Sequence, residues 1–479
     1  MKVLFVASEV APYAKIGGVA DVIGALPIEL KNLGIDVGII IPRYEKLTET
    51  PALEVLLHDV EVHVSKTERC TVYRGTLPHS DIPVYFIENI QHLSRGPIYN
   101  EHGDVNPFSE MTRFLFFSAA VTSALPLLGW KPHVIHCHDW HTAVVPALLK
   151  ASGNHDASTL LTIHNIAHQG VWNAHDVAAF LGTMDENGSL TKHRDRHGDF
   201  NALQQGILAA TMINTVSPGY AKEILTPEFG EELDTTLAER KDRISGILNG
   251  IDEKFFDPET DPALRVQYNA RHIEKKIENK LALEEQCGFS TDRGNPVFGF
   301  IGRLADQKGI ELILDNCKAF ARAKARVVLL GTGLPDIEQR IRSIVKKYPE
   351  TFYARIGFDG EFAQHIYAGS DCILVPSKFE PCGLVQLIAM RYGTPTVVRA
   401  TGGLKDSVID VSDHKRGLGF VFDDFSPKAL WSAVERAISL YRKPDEWRAL
   451  MVRCMKQNFS WERSAREYLS LYERCLTTV

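Results

Sequence analysis

The amino-acid sequence predicts an α/β protein built from two doubly wound, parallel-sheet domains that face each other across a cleft. Three observations carry that expectation. A chain of 479 residues is longer than one hydrophobic core normally supports, so two domains are the starting point. Short apolar runs rich in Val, Ile and Leu alternate with helical stretches, first from Lys2 and again from Val297. That is the pattern of parallel strands buried on both faces. Polar and glycine-rich segments follow those runs directly, at the strand ends where open α/β sheets bind ligands.

Composition narrows the class. A formal net charge of −7 argues against broad binding to nucleic acid or an anionic membrane, yet leaves room for a local phosphate site. The eight cysteines are scattered with no C-x-x-C pair, which suggests neither a zinc site nor a disulfide framework and fits a reducing compartment. No apolar run approaches the ~20 residues a membrane helix needs, and Met1-Lys2 leads straight into VLFVASEV without a signal-peptide core. The expected location is the cytoplasm, or the plastid stroma in a photosynthetic eukaryote. Neither nucleic acid nor membrane is an expected partner.

In the first domain, Lys2 to Ser8 reads as a buried strand, followed by Glu9 and the turn Lys15 to Val22 (KIGGVADV). Gly17 and Gly18 allow a tight turn before an amphipathic helix (Val22, Leu26, Leu30, Leu33), where Lys15 is placed to meet a phosphate. A lone Gly-Gly turn reads equally as ordinary backbone punctuation. Val37 to Pro42, Val55 to Val64, Val72 to Leu77 and Val84 to Glu88 read as extended, the last followed by a polar loop through Tyr99 and Asp104. Phe108 to Leu128 is a helix whose apolar stripe marks core. HVIHCHDWHTA (His133 to Ala143) is a short strand ending in His136, His138, Asp139 and His141. Alternating histidines suit a metal, packing or a substrate contact, and no second ligand cluster of fixed spacing follows. Leu160 to Asn165 is another buried strand, delivering His164 and Asn165 to the same rim. A helix-then-strand over Gly206 to Val216 ends at Ser217, and Ile244 to Asp252 reads as strand, turn and hinge.

In the second domain a charged helical segment (Arg271 to Glu285) precedes the strand Val297 to Gly302. RLADQKG then enters a helix from Ile310 to Ala323. Arg303 and Lys308 put two cations at a helix start, where the dipole disfavours them unless an anion sits between; a solvated charged loop is the bland alternative. Strands follow at Val327 to Gly331 and Phe352 to Ile356, with Phe358 after the second, either a core residue or a platform. Ile373 to Val375 closes on the loop Ser377 to Gly383, which holds Lys378, Glu380 and Cys382. After the helix Leu384 to Tyr392, the strand Thr394 to Val398 delivers Thr401-Gly402-Gly403 to a helix start, whose free N–H groups favour an anion. A strand (Gly419 to Phe422) and helices over Pro427 to Tyr441, Glu446 to Gln457 and Ser460 to Leu476 complete the chain.

SKFEPCGL followed by TGGL resembles the glycogen/starch synthase family, retaining glucosyltransferases that extend α-1,4-glucan from a nucleotide-glucose. KIGGVADV, HDWH and GRLADQKG extend the resemblance over nearly the whole chain. The resemblance implies the GT-B architecture, with Rossmann-like domains over 1–245 (acceptor side) and 246–458 (donor side). It also implies that 459–479 forms a helix crossing back onto the first domain. It implies a reaction centre of Glu380, His164, Arg303, Lys308 and Asp139. Donor contacts would come from Lys15, Gly17, Gly18, Asp21, Asn165, Phe358, Cys382, Gly383, Thr401, Gly402, Gly403 and Leu404. Lys15, Arg303, Lys308 and the Gly402-Gly403 amides would neutralise the leaving diphosphate, Phe358 would meet the nucleobase, and no metal or other cofactor is expected. Arg303 is expected to matter at least as much as Lys308, because a guanidinium holds two phosphate oxygens. The expected donor is ADP-glucose, with front-face attack by the glucan 4-hydroxyl. The alternatives are another retaining GT-B glycosyltransferase (sucrose-type or lipopolysaccharide-type) and a weakly catalytic glucan-binding or initiation protein. A nicotinamide dehydrogenase lacks support, since GxGxxG with its acidic partner is missing.

Overall fold

The computed structural model describes residues 1–49, 52–99, 107–153, 156–182, 190–291 and 294–478. The chain forms two compact units, Met1–Ile247 with Trp461–Val479, and Leu248–Ser460. In the first unit the strands are β1 (Lys2–Val6), β2 (Asp36–Pro42), β3 (Glu54–His63), β4 (Thr67–Thr76), β5 (Pro83–Glu88), β6 (Val134–His138), β7 (Ser158–Ile163), β8 (Val171–Trp172), β9 (Phe200–Asn201), β10 (Met212–Thr215) and β11 (Ile244–Gly246). Nine of them make one sheet in the order β11-β10-β7-β6-β1-β2-β5-β4-β3. All neighbours are parallel except the β3–β4 and β4–β5 pairs, which are antiparallel. From β1 the chain builds outward in one direction through β2 and β5 and in the other through β6 and β7. The order therefore reverses between β1 and β6, and ligands bind at the carboxyl ends of strands flanking such a switch point.

The second unit holds β12 (Val297–Ile301), β13 (Arg326–Gly331), β14 (Phe352–Ile356), β15 (Cys372–Val375), β16 (Thr396–Arg399) and β17 (Gly419–Phe422). Their order is β14-β13-β12-β15-β16-β17, parallel throughout. Its switch point lies between β12 and β15, so the loops carrying Arg303, Lys308 and Glu380 flank it.

The C-terminal helix Trp461–Thr477 belongs to the first unit's core. Its buried Trp461, Ala465, Tyr468, Leu471, Tyr472 and Cys475 share one cluster with Val22, Ile23, Leu26 and Leu30 of the helix Gly18–Asn32. Each large apolar side chain so buried contributes about 1.5–3 kcal/mol.

Local outcomes differ from expectation at three places. The extended pieces near Val55 and Val72 are one long hairpin, β3 with β4. The helix expected over Phe108 to Leu128 ends at Ala124 and tightens into a 3-10 turn, Leu125–Leu127. The helix expected from Ile310 to Ala323 breaks at Asn316, whose amide donates to the carbonyls of Leu312 and Pro427 (both 2.8 Å), a side-chain bond that competes with helix continuation. Asp104 lies outside the described residues.

Candidate active site

In the first unit the site begins where β1 ends. Ser8 and Glu9 are buried. One Glu9 oxygen, Oε2, accepts from the amides of Ile16 (2.7 Å) and Gly17 (2.9 Å), and Oε1 accepts from the Tyr99 hydroxyl (2.9 Å). A carboxylate from the strand end thus braces the turn that leads into the helix Gly18–Asn32, near its positive dipole end. At this turn the Gly17 amide is engaged by Glu9, and Lys15 pairs with Asp21 at 2.5 Å. Both partners of that pair are about half exposed, so it is weak and exchanges readily for another anion. Gly18 stands beside open space, with nothing within 4 Å of where a Cβ would sit. Glu9 is the residue that sequence reasoning passed over, since a strand-end carboxylate carries no local sign of the turn it holds.

The ends of β6 and β7 bring the predicted polar groups together. Asp139 is buried and adopts a left-handed backbone (φ +56°), a conformation that costs a non-glycine residue free energy and clusters at functional sites. Its Oδ1 accepts from the His164 amide at 2.7 Å and the Asn165 amide at 3.4 Å. Burial raises the Asp139 carboxyl to about 7 despite those bonds. His164 Nε2 meets His138 Nδ1 at 3.0 Å, and burial lowers His164 to about 4, so its ring is neutral at pH 7. The other histidines read as possible ligands are used otherwise. His136 meets Tyr472 through Nδ1 (2.9 Å) and Thr162 through Nε2 (2.7 Å), and His141 stacks on Trp140. Among the described residues, no group of three or more His, Cys, Asp or Glu side chains is arranged to hold a metal ion.

In the second unit the two loops flanking the switch point are fastened to each other. Glu380 is buried, and its Oε2 accepts from Lys308 Nζ at 2.6 Å and from the Ser377 hydroxyl at 2.9 Å. Lys308 closes a short 3-10 turn, Asp306–Lys308, followed by Gly309 at φ +65°. A Cβ on Gly309 would run into the Pro376 carbonyl, so only glycine fits. Gln307 bridges further: it accepts from Arg303 at 2.9 Å through its side chain and from the Lys378 amide at 2.8 Å through its carbonyl. Lys308 therefore has a structural partner, whereas Arg303 is exposed and, among the described residues, its side chain is held by the neutral Gln307 amide.

The Thr401–Leu404 turn uses two of its amides within the unit. The Gly403 amide donates to the Glu380 carbonyl (3.0 Å) and the Leu404 amide to Thr401 (3.0 Å), so neither is free for an anion. A Cβ on Gly403 would meet the Cys382 carbonyl, so the glycine allows the two loops to touch. Leu404 is fully buried. Cys382 is likewise internal, its thiol pushed up to about 12 by burial and hence protonated. Gly383, at φ +72°, turns the chain into the next helix. Phe358 is 96% exposed at the end of β14, which removes the core reading and leaves a bare aromatic face.

The family model described as the starch synthase catalytic domain matches residues 2–239, and that of group 1 glycosyl transferases matches residues 295–439. The chain is 40% identical to a glycogen synthase of Syntrophotalea carbinolica, with 99% of each chain covered. It is 41% identical to one of Moorella thermoacetica, covering 99% of this chain and 97% of the relative. Among solved structures it matches the catalytic domain of starch synthase IV from Arabidopsis thaliana bound to ADP and acarbose, with TM-score 0.89, 34% identity and 99% of both chains covered. Sucrose-phosphate synthase from Thermosynechococcus elongatus shares the fold at TM-score 0.62 and 19% identity, covering 100% of both chains. The two-unit, parallel-sheet architecture is GT-B.

Proposed function

Because the chain belongs to the glycogen/starch synthase family and is a glycosyltransferase that extends α-glucan, we propose that its donor is ADP-glucose and that it needs no metal ion. The observation that carries this reading is the Lys308–Glu380 pair at the β12/β15 switch point, with Arg303 on the same loop. An ammonium and a guanidinium here supply the positive charge that a divalent cation supplies elsewhere. As the bond from glucose C1 to the diphosphate oxygen breaks, negative charge grows on that oxygen, and cations already in place stabilise it without reorganisation. The acceptor's 4-hydroxyl forms the new C1–O bond on the same face. Its proton passes to the departing phosphate oxygen, giving ADP and a glucan one residue longer. Glu380 orients Lys308 and lies beside the developing positive charge on the sugar. Neutral His164 and the Asp139 carboxyl are hydrogen-bonding partners for sugar hydroxyls on the first unit. Exposed Phe358 offers its face to the adenine base.

The ADP bound to the Arabidopsis relative supports the choice of base. A cytoplasmic setting is part of the same proposal, supported by eight cysteines that are all unpaired. Glucosyl transfer to glycogen from ADP-glucose and from UDP-glucose, each with a chelator and with added magnesium or manganese, tests both claims. Turnover of ADP-glucose well above UDP-glucose, untouched by chelation, is the expected result. A preference for UDP-glucose would overturn the donor assignment. Activity removed by the chelator and restored by either ion would overturn the metal-free one.

A further inference from the structure

We propose that His138 is a positioning residue that fixes the tautomer of His164, so that His164 meets the donor sugar as a hydrogen-bond donor through Nδ1. The proposal rests on the reading of His164 as a residue of the sugar site and adds what its ring does there.

The two rings join through His138 Nδ1 and His164 Nε2 at 3.0 Å. Burial holds both histidines below their ordinary range, so each ring is neutral and carries one N–H. A single proton therefore lies between the two nitrogens, and two arrangements are possible. In one, His164 donates from Nε2; the His138 proton must then sit on Nε2, which is buried without a hydrogen-bond partner. In the other, His138 donates from Nδ1, and its Nε2 is left as a bare lone pair. A stranded, buried N–H is the rarer and costlier of the two defects. The second arrangement follows, and it puts the His164 proton on Nδ1. Among the described residues that nitrogen has no protein partner, so it is left to the ligand.

The surroundings of His138 prevent its ring from turning to another partner. Its ring stacks on Phe5 (centroids 5.5 Å apart, planes at 14°) and lies 4.1 Å from the His136 ring. Its main-chain N–H and carbonyl are both held by the Thr142 hydroxyl, at 2.7 and 2.9 Å. His136 is anchored in turn by Tyr472 of the C-terminal helix and by Thr162. An N–H donor at this point orients a sugar hydroxyl and cannot act as a general base, which agrees with a reaction whose proton goes to the leaving phosphate.

Nitrogen-15 NMR of the full-length enzyme with labelled histidine reads the tautomer directly, the His164 signals being assigned by their loss in His164→Gln. The parent is expected to show the Nδ1–H form. His138→Phe keeps the ring volume but removes the donor. It should give a mixed or Nε2–H His164 and lower kcat about 10- to 100-fold, with donor KM within about threefold. His138→Asn, which returns an amide N–H near the same place, should recover most of the rate, a rescue that a purely structural role would not require. An Nε2–H signal in the parent, or an unchanged tautomer and rate in His138→Phe, would overturn the proposal. If His138→Phe fails to fold, the parent spectrum alone decides. Unaltered transfer by His164→Ala would instead overturn the placement of His164 at the sugar, while leaving the tautomer result standing.

Discussion

At the switch point of the first unit, His138 and Asp139 are buried and His164 is half-buried, and desolvation pushes each toward its neutral form. At the switch point of the second unit a buried carboxylate and a partly buried ammonium are kept together as an ion pair, Glu380 with Lys308, and Arg303 on the same loop is exposed. The same sheet geometry thus yields a neutral hydrogen-bonding rim in one unit and a charged one in the other. The difference lies in partners: the first unit turns its carboxylates toward backbone amides (Glu9 to Ile16 and Gly17, Asp139 to His164 and Asn165), the second toward a cation. A neutral rim suits sugar hydroxyls, and a cationic one suits a leaving diphosphate.

The largest effect is expected at Glu380. Glu380→Ala should lower kcat by about 10³-fold while ADP affinity stays within a few-fold. Steady-state kinetics beside calorimetric ADP binding checks this, and equal losses in both would make Glu380 a nucleotide contact instead.

Next come the cations. Lys308→Ala and Arg303→Ala should each cost about 2–4 kcal/mol in kcat/KM, with kcat falling as well. The Lys308–Glu380 pair leads us to predict the opposite order from the one side-chain chemistry alone suggests. Removing Lys308 also strands the Glu380 carboxylate, so Lys308→Ala should cost more and lower Tm by about 3–6 °C. Arg303→Ala should melt with the parent, a contrast that paired thermal melts and kinetics would expose.

Phe358→Ala should cost less, about 1–3 kcal/mol of base stacking, seen as a raised KM for ADP-glucose at unchanged kcat. Tm should not move, because the ring is almost fully exposed.

The last expected effect is a pH dependence from the neutral rim. The folded His136, His138, His141 and His164 bind protons only well below the ordinary histidine range. The unfolded chain takes up those protons near pH 6.5, so their contribution to stability is full above that and is lost as pH falls. Asp139 acts oppositely: raised to about 7, it stays protonated in the fold where the unfolded chain ionises, so it favours the fold as pH drops from about 7 toward about 4. Four histidines outweigh one carboxyl, and Tm should fall between pH 7 and 5. Asp139→Asn removes the opposing contribution and should steepen that fall, as melts across the range would register.

Both sheets were legible in the sequence, because runs such as VLFV, LLTI and CILV have no alternative but burial, and each strand-end polar group stood where the structure has it. The pairings were not. Lys308 and Glu380 lie 72 positions apart, and nothing local to either says that they meet. The Glu9 bond to Ile16 and Gly17 depends on how the turn folds back, and the Gly403 amide on how two loops touch. Those are tertiary facts, set by how the turns and loops meet rather than by the residues on either side. Phe358 was ambiguous in sequence because Phe serves cores and platforms alike; only its exposure decides. The Tyr472–His136 contact ties the last helix to the β6 rim, and a helical stripe alone cannot show where its hydroxyls reach.

The division of labour between the units is tested most directly by titrating ADP against four variants, His164→Ala, Asp139→Asn, Arg303→Ala and Lys308→Ala, in one calorimetric series. The account predicts that the first two bind ADP as the parent does, while each cation variant loses about tenfold or more in affinity. Equal losses across the four, or a loss confined to His164→Ala and Asp139→Asn, would contradict it.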